Sequence, residues 1–314
     1  VRHLIRGMGA LGDSLLSRWA ILPWVELALA GGDEVWIETA WPELFGELNG
    51  RVRWLRPVDP IWRHAREHLA SLATFGWSAG PEGGWDAVHD IGYGWLGEGE
   101  TILAAMEACL PGPLPRRLPD GLGLPRLAEP WAPRDDRPLA VVRPVTVRTE
   151  WRNESRAPFP GYLVNIAARL MRTHRVVAIG DVRPPQELLV GEPLPCHDDF
   201  THGELTVYEM LETLRLADLI VSGNGFSVPL ALLTGTPHFV VLGGCGGRNA
   251  PEQLVDARQP YAERIEFAVP EPFCRCSERR HPCNKAIPDL WARWDSFFAR
   301  HGSRSRSRSS TGSS

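Results

Sequence analysis

The chain has 314 residues, 43% of them hydrophobic and 23% charged, with a formal net charge of -4. That composition excludes a disordered chain, and the length suits two domains of ordinary size. No apolar run reaches the roughly 18–20 residues of a membrane span, the first residues read as a strand rather than a leader, and the mild acidity argues against a broad nucleic-acid face, so a cytoplasmic location is expected.

Residues 1–8 read as a strand that runs into Arg6-Gly7-Met8-Gly9-Ala10-Leu11-Gly12-Asp13. A helical pattern follows over 13–30, with Leu15, Leu16, Trp19, Leu22 and Leu27 on its apolar side and Pro23 as a kink. Strand, glycine loop and helix start, in that order, form the usual place for an anion or a reactive group in an α/β protein. Asp13 is therefore a candidate reactive carboxylate. The alternative is an N-cap whose carboxylate accepts backbone N–H bonds. The glycine spacing is not GxGxxG, so no dinucleotide fingerprint is present.

Strand 34–39, short helix 42–48, strand 52–58, helix 61–75, a glycine-rich loop 76–84, strand 85–91 and helix 98–109 come next. This alternation implies parallel βαβ units. Prolines at 111, 113, 115, 119, 125, 130, 133 and 138 then break regular structure, and 111–138 reads as an extended interdomain connection.

A second alternating set opens with strand 139–143. The polar loop 146–160 holds Arg148, Arg152 and Arg156. Helix 162–173, strand 175–179 with Gly180-Asp181 at its end, a short helix 185–189 and helix 206–217 follow. Strand 219–222 leads to the turn Gly223-Asn224-Gly225, then helix 227–233 and strand 238–242. The last helix, 288–300, carries Leu290, Trp291, Trp294 and Phe297 on one side. The tail 302–314 is almost wholly Ser, Arg and Gly and reads as disordered. The expected fold class is α/β, two Rossmann-like parallel-sheet domains facing a central cleft.

All but one of the 34 basic residues are arginine, Lys285 being the exception; arginine suits bidentate binding of phosphate. Of the six cysteines, Cys109, Cys196 and Cys245 read as packing residues. Cys274-x-Cys276-x4-His281-x-Cys283 offers the donor number of a structural zinc site at a spacing tighter than the usual CxxC. A disulfide and reduced thiols packing a loop are the other readings. No Asp-x-Asp pair is present for a catalytic divalent metal. Trp41, Trp62, Trp77 and Trp95 lie near loops, where an exposed ring stacks on a sugar or a base; core packing is the alternative.

Three stretches carry a family resemblance, in order across nearly the whole chain. They are Gly9-Ala10-Leu11-Gly12-Asp13-Ser14-Leu15-Leu16; Ala217 to Gly225, continuing to Gly235-Thr236-Pro237; and Cys274, Cys276 and Cys283 followed by Ile287-Pro288-Asp289. Together they resemble the lipopolysaccharide heptosyltransferase family, glycosyltransferases of the GT-B fold. The resemblance implies an inverting, metal-independent sugar transferase. Its donor is a nucleotide-diphosphate sugar, it needs no other cofactor, and Asp13 is its general base. It implies an acceptor-binding domain over 1–135, a donor-binding domain over 136–287, and a helix 288–301 packing back on the N-terminal domain, ahead of the tail 302–314 already read from composition.

For the departing diphosphate, N–H groups around Gly225, Phe226 and Ser227 sit at a helix start. Gly12, Thr146, Asn224 and the three arginines, Arg148, Arg152 and Arg156, complete the candidate donor site. A solvated loop face is the alternative for each arginine. Asn224 and Pro229 stand where the family has aspartate and histidine, and Arg156 stands near the place of a family lysine. The acceptor is a glycan or envelope saccharide, or else a hydroxyl on a modified nucleic-acid base. These departures motivate a second reading, a nucleotide- or sugar-binding module of the same fold without transfer activity.

Overall fold

The computed structural model describes residues 1–94, 96, 97, 99–112, 124–131, 133, 135–247 and 249–302. The expected tail, from 303 on, lies outside the described residues, as do Trp95, Glu98 and prolines 113, 115 and 119. No helix among the described residues is long and apolar enough to cross a membrane.

In chain order the strands are β1 (Arg2–Arg6), β2 (Glu34–Glu38), β3 (Arg53–Leu55), β4 (Ala87–Asp90), β5 (Leu139–Val142), β6 (Thr146–Arg148), β7 (Arg175–Ile179), β8 (Glu187–Leu189), β9 (Asp198–Phe200), β10 (Leu219–Ser222), β11 (His238–Val241) and β12 (Ile265–Ala268). The helices are α1 (Leu11–Ala30), α2 (Arg63–Ser71), α3 (Ile102–Glu107), α4 (Pro160–Leu170), α5 (Val207–Leu216), α6 (Ser227–Thr234), α7 (Pro251–Leu254) and α8 (Leu290–His301).

These elements form two compact units that are not contiguous in sequence. The first takes Val1–Leu127, Gly225–Gly235 and Gly246–Ala262; the second takes Ala128–Asn224, Thr236–Cys245 and the chain from Glu263 on.

The first unit holds a parallel sheet in the order β3-β2-β1-β4. Its central strand β1 buries His3, Leu4 and Ile5. Helix α1 runs unbroken through Pro23 and buries Leu15, Leu16, Trp19 and Leu22, while Leu27, expected on the same side, is exposed. Two later segments join this unit for visible reasons. Gly12 of α1 lies so close to the Phe226 backbone that a Cβ there would stand 3.0 Å from its Cα, which lets α6 pack on α1. Thr101, at the start of α3, donates to Asp256 at 2.8 Å, and Arg258 bridges Asp256 and Glu107 at 2.8 and 2.7 Å.

The second unit holds a six-stranded parallel sheet in the order β12-β11-β10-β5-β7-β9 and an antiparallel pair β6-β8. Counted within the large sheet, this is the doubly wound order 3-2-1-4-5-6, with its reversal between β5 and β10. Val142, Val221, Phe239 and Val241 fill its core with Leu163, Ile166 and Leu170 of α4.

Three expectations are corrected here. Helix α8 belongs to the second unit, and the apolar side expected to pack back on the N-terminal domain is spent there: Leu290, Trp294 and Phe297 fill the second core, with Trp294 edge-on to Phe239 at 5.2 Å. The short helix expected over 185–189 is strand β8, and the polar loop begins with its partner β6, because Thr146 to Arg148 pair with Leu189 to Glu187. Helix α1 begins at Leu11, before Asp13. Strands β9 and β12 and the one-turn helix α7 carry no periodic signal, being three or four residues long.

Candidate active site

In the first sheet the connections reverse direction between β1 and β4, so the loops after these strands flank a switch point, where open α/β sheets bind ligands. The loop after β1 is held tightly. The Gly7 N–H donates to Glu38 O at 2.8 Å, the Ser14 hydroxyl to Met8 O at 2.7 Å and the Trp41 indole to Gly9 O at 3.1 Å. Trp41 is itself fully buried and stacks on His68 at 4.8 Å, so it supports the loop and is not an exposed sugar platform.

The N-cap of α1 is Ala10, whose backbone is extended and which makes no side-chain cap bond. Asp13 therefore stands inside the first turn, and the N-cap reading of it is set aside. From there its Oδ1 accepts the hydroxyl of Tyr93, 3.1 Å away, on the loop after β4. The two switch-point loops thus meet at one carboxylate. Gly12 and Phe226 are in contact, which brings the N-terminal turns of α1 and α6 together. Both turns present N–H groups and positive dipole ends. Phe226 caps α6, Gly225 O accepts from Val228 N at 3.1 Å, and Ser227 is buried.

In the second sheet the reversal lies between β5 and β10. The residue after β5 is Arg143, whose N–H bonds Val221 O at 2.9 Å. Burial pulls its guanidinium down to about 10, with Glu187 and Asp181 opposing and Arg148 and Arg156 adding to the shift; at neutral pH it remains a cation. Arg148 donates to the buried Glu187 at 3.0 Å, and Thr146 donates to the same carboxylate. Arg156 reaches the end of β10 and donates to Asn224 O. Arg152 is apart from these: it is exposed and pairs with Glu154 at 2.6 Å.

The second unit therefore brings Thr146, Arg148, Arg156 and Asn224 into one charged neighbourhood and leaves Arg152 on the solvated face. Asp181, at the end of β7, pairs with Arg183 at 2.8 Å and bridges to His202, as in an ordinary strand-end turn. Arg143, Glu187 and Tyr93 were not singled out from the sequence. Arg143 carried the clearest signal, a charge directly after the apolar run Leu139 to Val142.

Also in the second unit, Cys274, Cys276, His281 and Cys283 converge, their ligand atoms all within 4.8 Å of one another. No two cysteines are joined in a disulfide in the structure, the Cys276 and Cys283 sulfurs standing 3.5 Å apart.

No protein-family model matches the sequence, and no curated protein matches it. The fold does match solved structures. E. coli ADP-heptose lipopolysaccharide heptosyltransferase II superposes with a TM-score of 0.55 at 13% identity, over 96% of this chain and 100% of that one. E. coli heptosyltransferase WaaC with ADP gives 0.53 at 13% identity, with the same coverage. TibC from enterotoxigenic E. coli, described as an iron-containing dodecameric glycosyltransferase, gives 0.58 at 14% identity, over 96% of this chain and 78% of that one. The mixed α/β architecture with parallel sheets is that of GT-B-type glycosyltransferases.

Proposed function

We propose that the protein transfers a sugar from a nucleotide-diphosphate sugar to an acceptor hydroxyl, with inversion and without a catalytic metal. The observation that carries this reading is Asp13, held by Tyr93 at the switch point of the first sheet. Two solved structures with the same fold support it: one is WaaC with ADP, the other TibC in complex with ADP-D-beta-D-heptose.

The chemistry follows from the residues. The acceptor oxygen attacks the anomeric carbon while Asp13 takes its proton. The bond from that carbon to the diphosphate oxygen breaks, and the nucleotide diphosphate leaves with the electron pair. For its growing negative charge we take the N–H groups at the start of α6 as the candidate donors of the first unit, and Arg143, Arg148 and Arg156 as the candidate cations of the second. A positioned base contributes about 10²–10⁴-fold. The acceptor class proposed is a glycan or envelope saccharide; tight, salt-sensitive binding to DNA would move it to a nucleic-acid hydroxyl.

The test has two arms. A thermal-shift panel of ADP, GDP, UDP, CDP and dTDP, with and without Mg²⁺, identifies the nucleotide; a ligand at about 100 times its Kd adds about 2.7 kcal/mol. The sugar form of that nucleotide is then used for turnover. Asp13→Asn is expected to lower kcat by about 10²–10⁴-fold while the nucleotide shift stays unchanged. Nucleotide binding with no transfer to any saccharide acceptor would support the binding-module reading instead. Undiminished turnover in Asp13→Asn would remove Asp13 as the base.

A further inference from the structure

We propose that Cys274, Cys276, His281 and Cys283 hold one divalent transition metal in a tetrahedral site, and that this metal fixes the loop bearing Arg156 through Ser155. The first half rests on donor geometry. Cys274 Sγ and Cys283 Sγ each lie 3.4 Å from His281 Nδ1, and Cys276 Sγ lies 3.5 Å from Cys283 Sγ. A tetrahedral ion with metal–sulfur bonds of about 2.3 Å and a metal–nitrogen bond of about 2.0 Å sets its donors about 3.5–3.8 Å apart. The four side chains come as two pairs, each separated by one residue. The second pair is set by a tight turn in which Cys283 N donates to His281 O at 2.8 Å. Three thiolates and one imidazole are the donor set of zinc or tetrahedral iron, not of magnesium or calcium. On binding, each thiol gives up its proton to solvent. The cluster is the one group of this kind among the described residues.

The second half rests on Ser155, which is fully buried. Its N–H donates to Arg279 O at 3.1 Å. Its hydroxyl accepts from the His281 N–H at 2.6 Å and donates to His281 O at 3.2 Å. Its carbonyl accepts from Gly244 N at 2.6 Å. Lys285 adds a bond to Glu154 O at 3.0 Å. The backbone and hydroxyl of one serine are thus tied to the ligand loop and to the end of β11. The next residue, Arg156, reaches Asn224. Gly243 and Gly244 make this possible: a Cβ on the first would strike the Ala157 backbone, and on the second the Cys283 side chain.

The experiment uses the full chain. Elemental analysis of protein purified from zinc- and iron-supplemented growth should find a stoichiometric metal, absent from Cys276→Ser. The metal-stripped wild type should take up Co²⁺ and develop the sulfur-to-cobalt charge-transfer and d–d bands of a tetrahedral thiolate site. Hydrogen exchange read by mass spectrometry should then show faster exchange at Ser155, Gly244 and Cys283 on stripping, by about tenfold or more, with β10 unchanged. Ser155→Ala, which keeps all four ligands, should retain the metal yet show the faster exchange at Gly244. Protein without stoichiometric metal and without the cobalt bands would overturn the site, whether or not Cys276→Ser folds. Metal loss that leaves Ser155 and Gly244 exchange unchanged would overturn the coupling to Arg156.

Discussion

At the scale of single residues, position within a helix turn decides what Asp13 can do. As an N-cap its carboxylate would be committed to backbone N–H groups. Inside the first turn it faces the Tyr93 hydroxyl instead. The glycine before it is needed for a different reason. Gly12→Ala would set a methyl against Phe226, and overpacking of this kind costs about 1–3 kcal/mol. A lower melting temperature, with the fold retained by circular dichroism, is the expected result. His238 makes a prediction in pH. It is fully buried, shares a bond of 2.8 Å with Ser222, and burial together with Arg143 pulls it down to about 3. Between about pH 6.5 and 3 the unfolded chain binds a proton at this residue that the folded chain refuses. The sign follows: stability is present above pH 6.5 and falls as the pH drops toward 3, by up to about 1.4 kcal/mol per pH unit. In melting scans from pH 7.5 to 4.5, His238→Gln should flatten the acid-side slope. A parallel slope in the variant would count against this role.

At the scale of elements, the fold was most legible where the pattern was longest. The apolar run of α1, the four-residue strands β5, β10 and β11, and the stop at Gly235 (φ 69°) all stand close to where the sequence puts them. Short elements were illegible for a physical reason. Strand β8 is three residues after two prolines, and a proline before an apolar pair reads equally well as the first turn of a helix. Only the pairing with β6 distinguishes the two, and pairing is a tertiary fact. The same limit hid Glu187, whose worth lies in Thr146 and Arg148, about forty residues away. The last helix shows the converse: its apolar stripe was plain, but a stripe does not say which core receives it. Trp294 is 3% exposed in the second core. Trp294→Ala should therefore cost about 3–5 kcal/mol and lower the temperature at which α4 and the second sheet lose exchange protection. An effect confined to the first sheet would contradict the packing described.

At the scale of the whole molecule, the chain passes between compact units at 127/128, 224/225, 235/236, 245/246 and 262/263. A sequence reading cuts at composition shifts, and the proline-rich stretch supplied such a cut near the first of these points. The others carry no compositional mark, because they follow from packing: α6 on α1, and Asp256 and Arg258 on α3. A fragment of residues 1–135 would leave α1 without α6 and Glu107 without Arg258. It should fail to give a cooperative melt, even though it carries the whole first sheet. A cooperative transition from that fragment would show that the returning segments are dispensable.

Lys285, finally, makes the chain unusually easy to watch. It is the sole lysine, and its amine sits 3.0 Å from Glu154 O, beside the segment that leads to Arg156. An amine-reactive dye applied above the pKa of an ordinary lysine therefore has one ε-amino target, and that target reports on a single loop. Fluorescence anisotropy of the conjugate would follow that loop's motion as ligands are added, with no cysteine altered and no tag introduced.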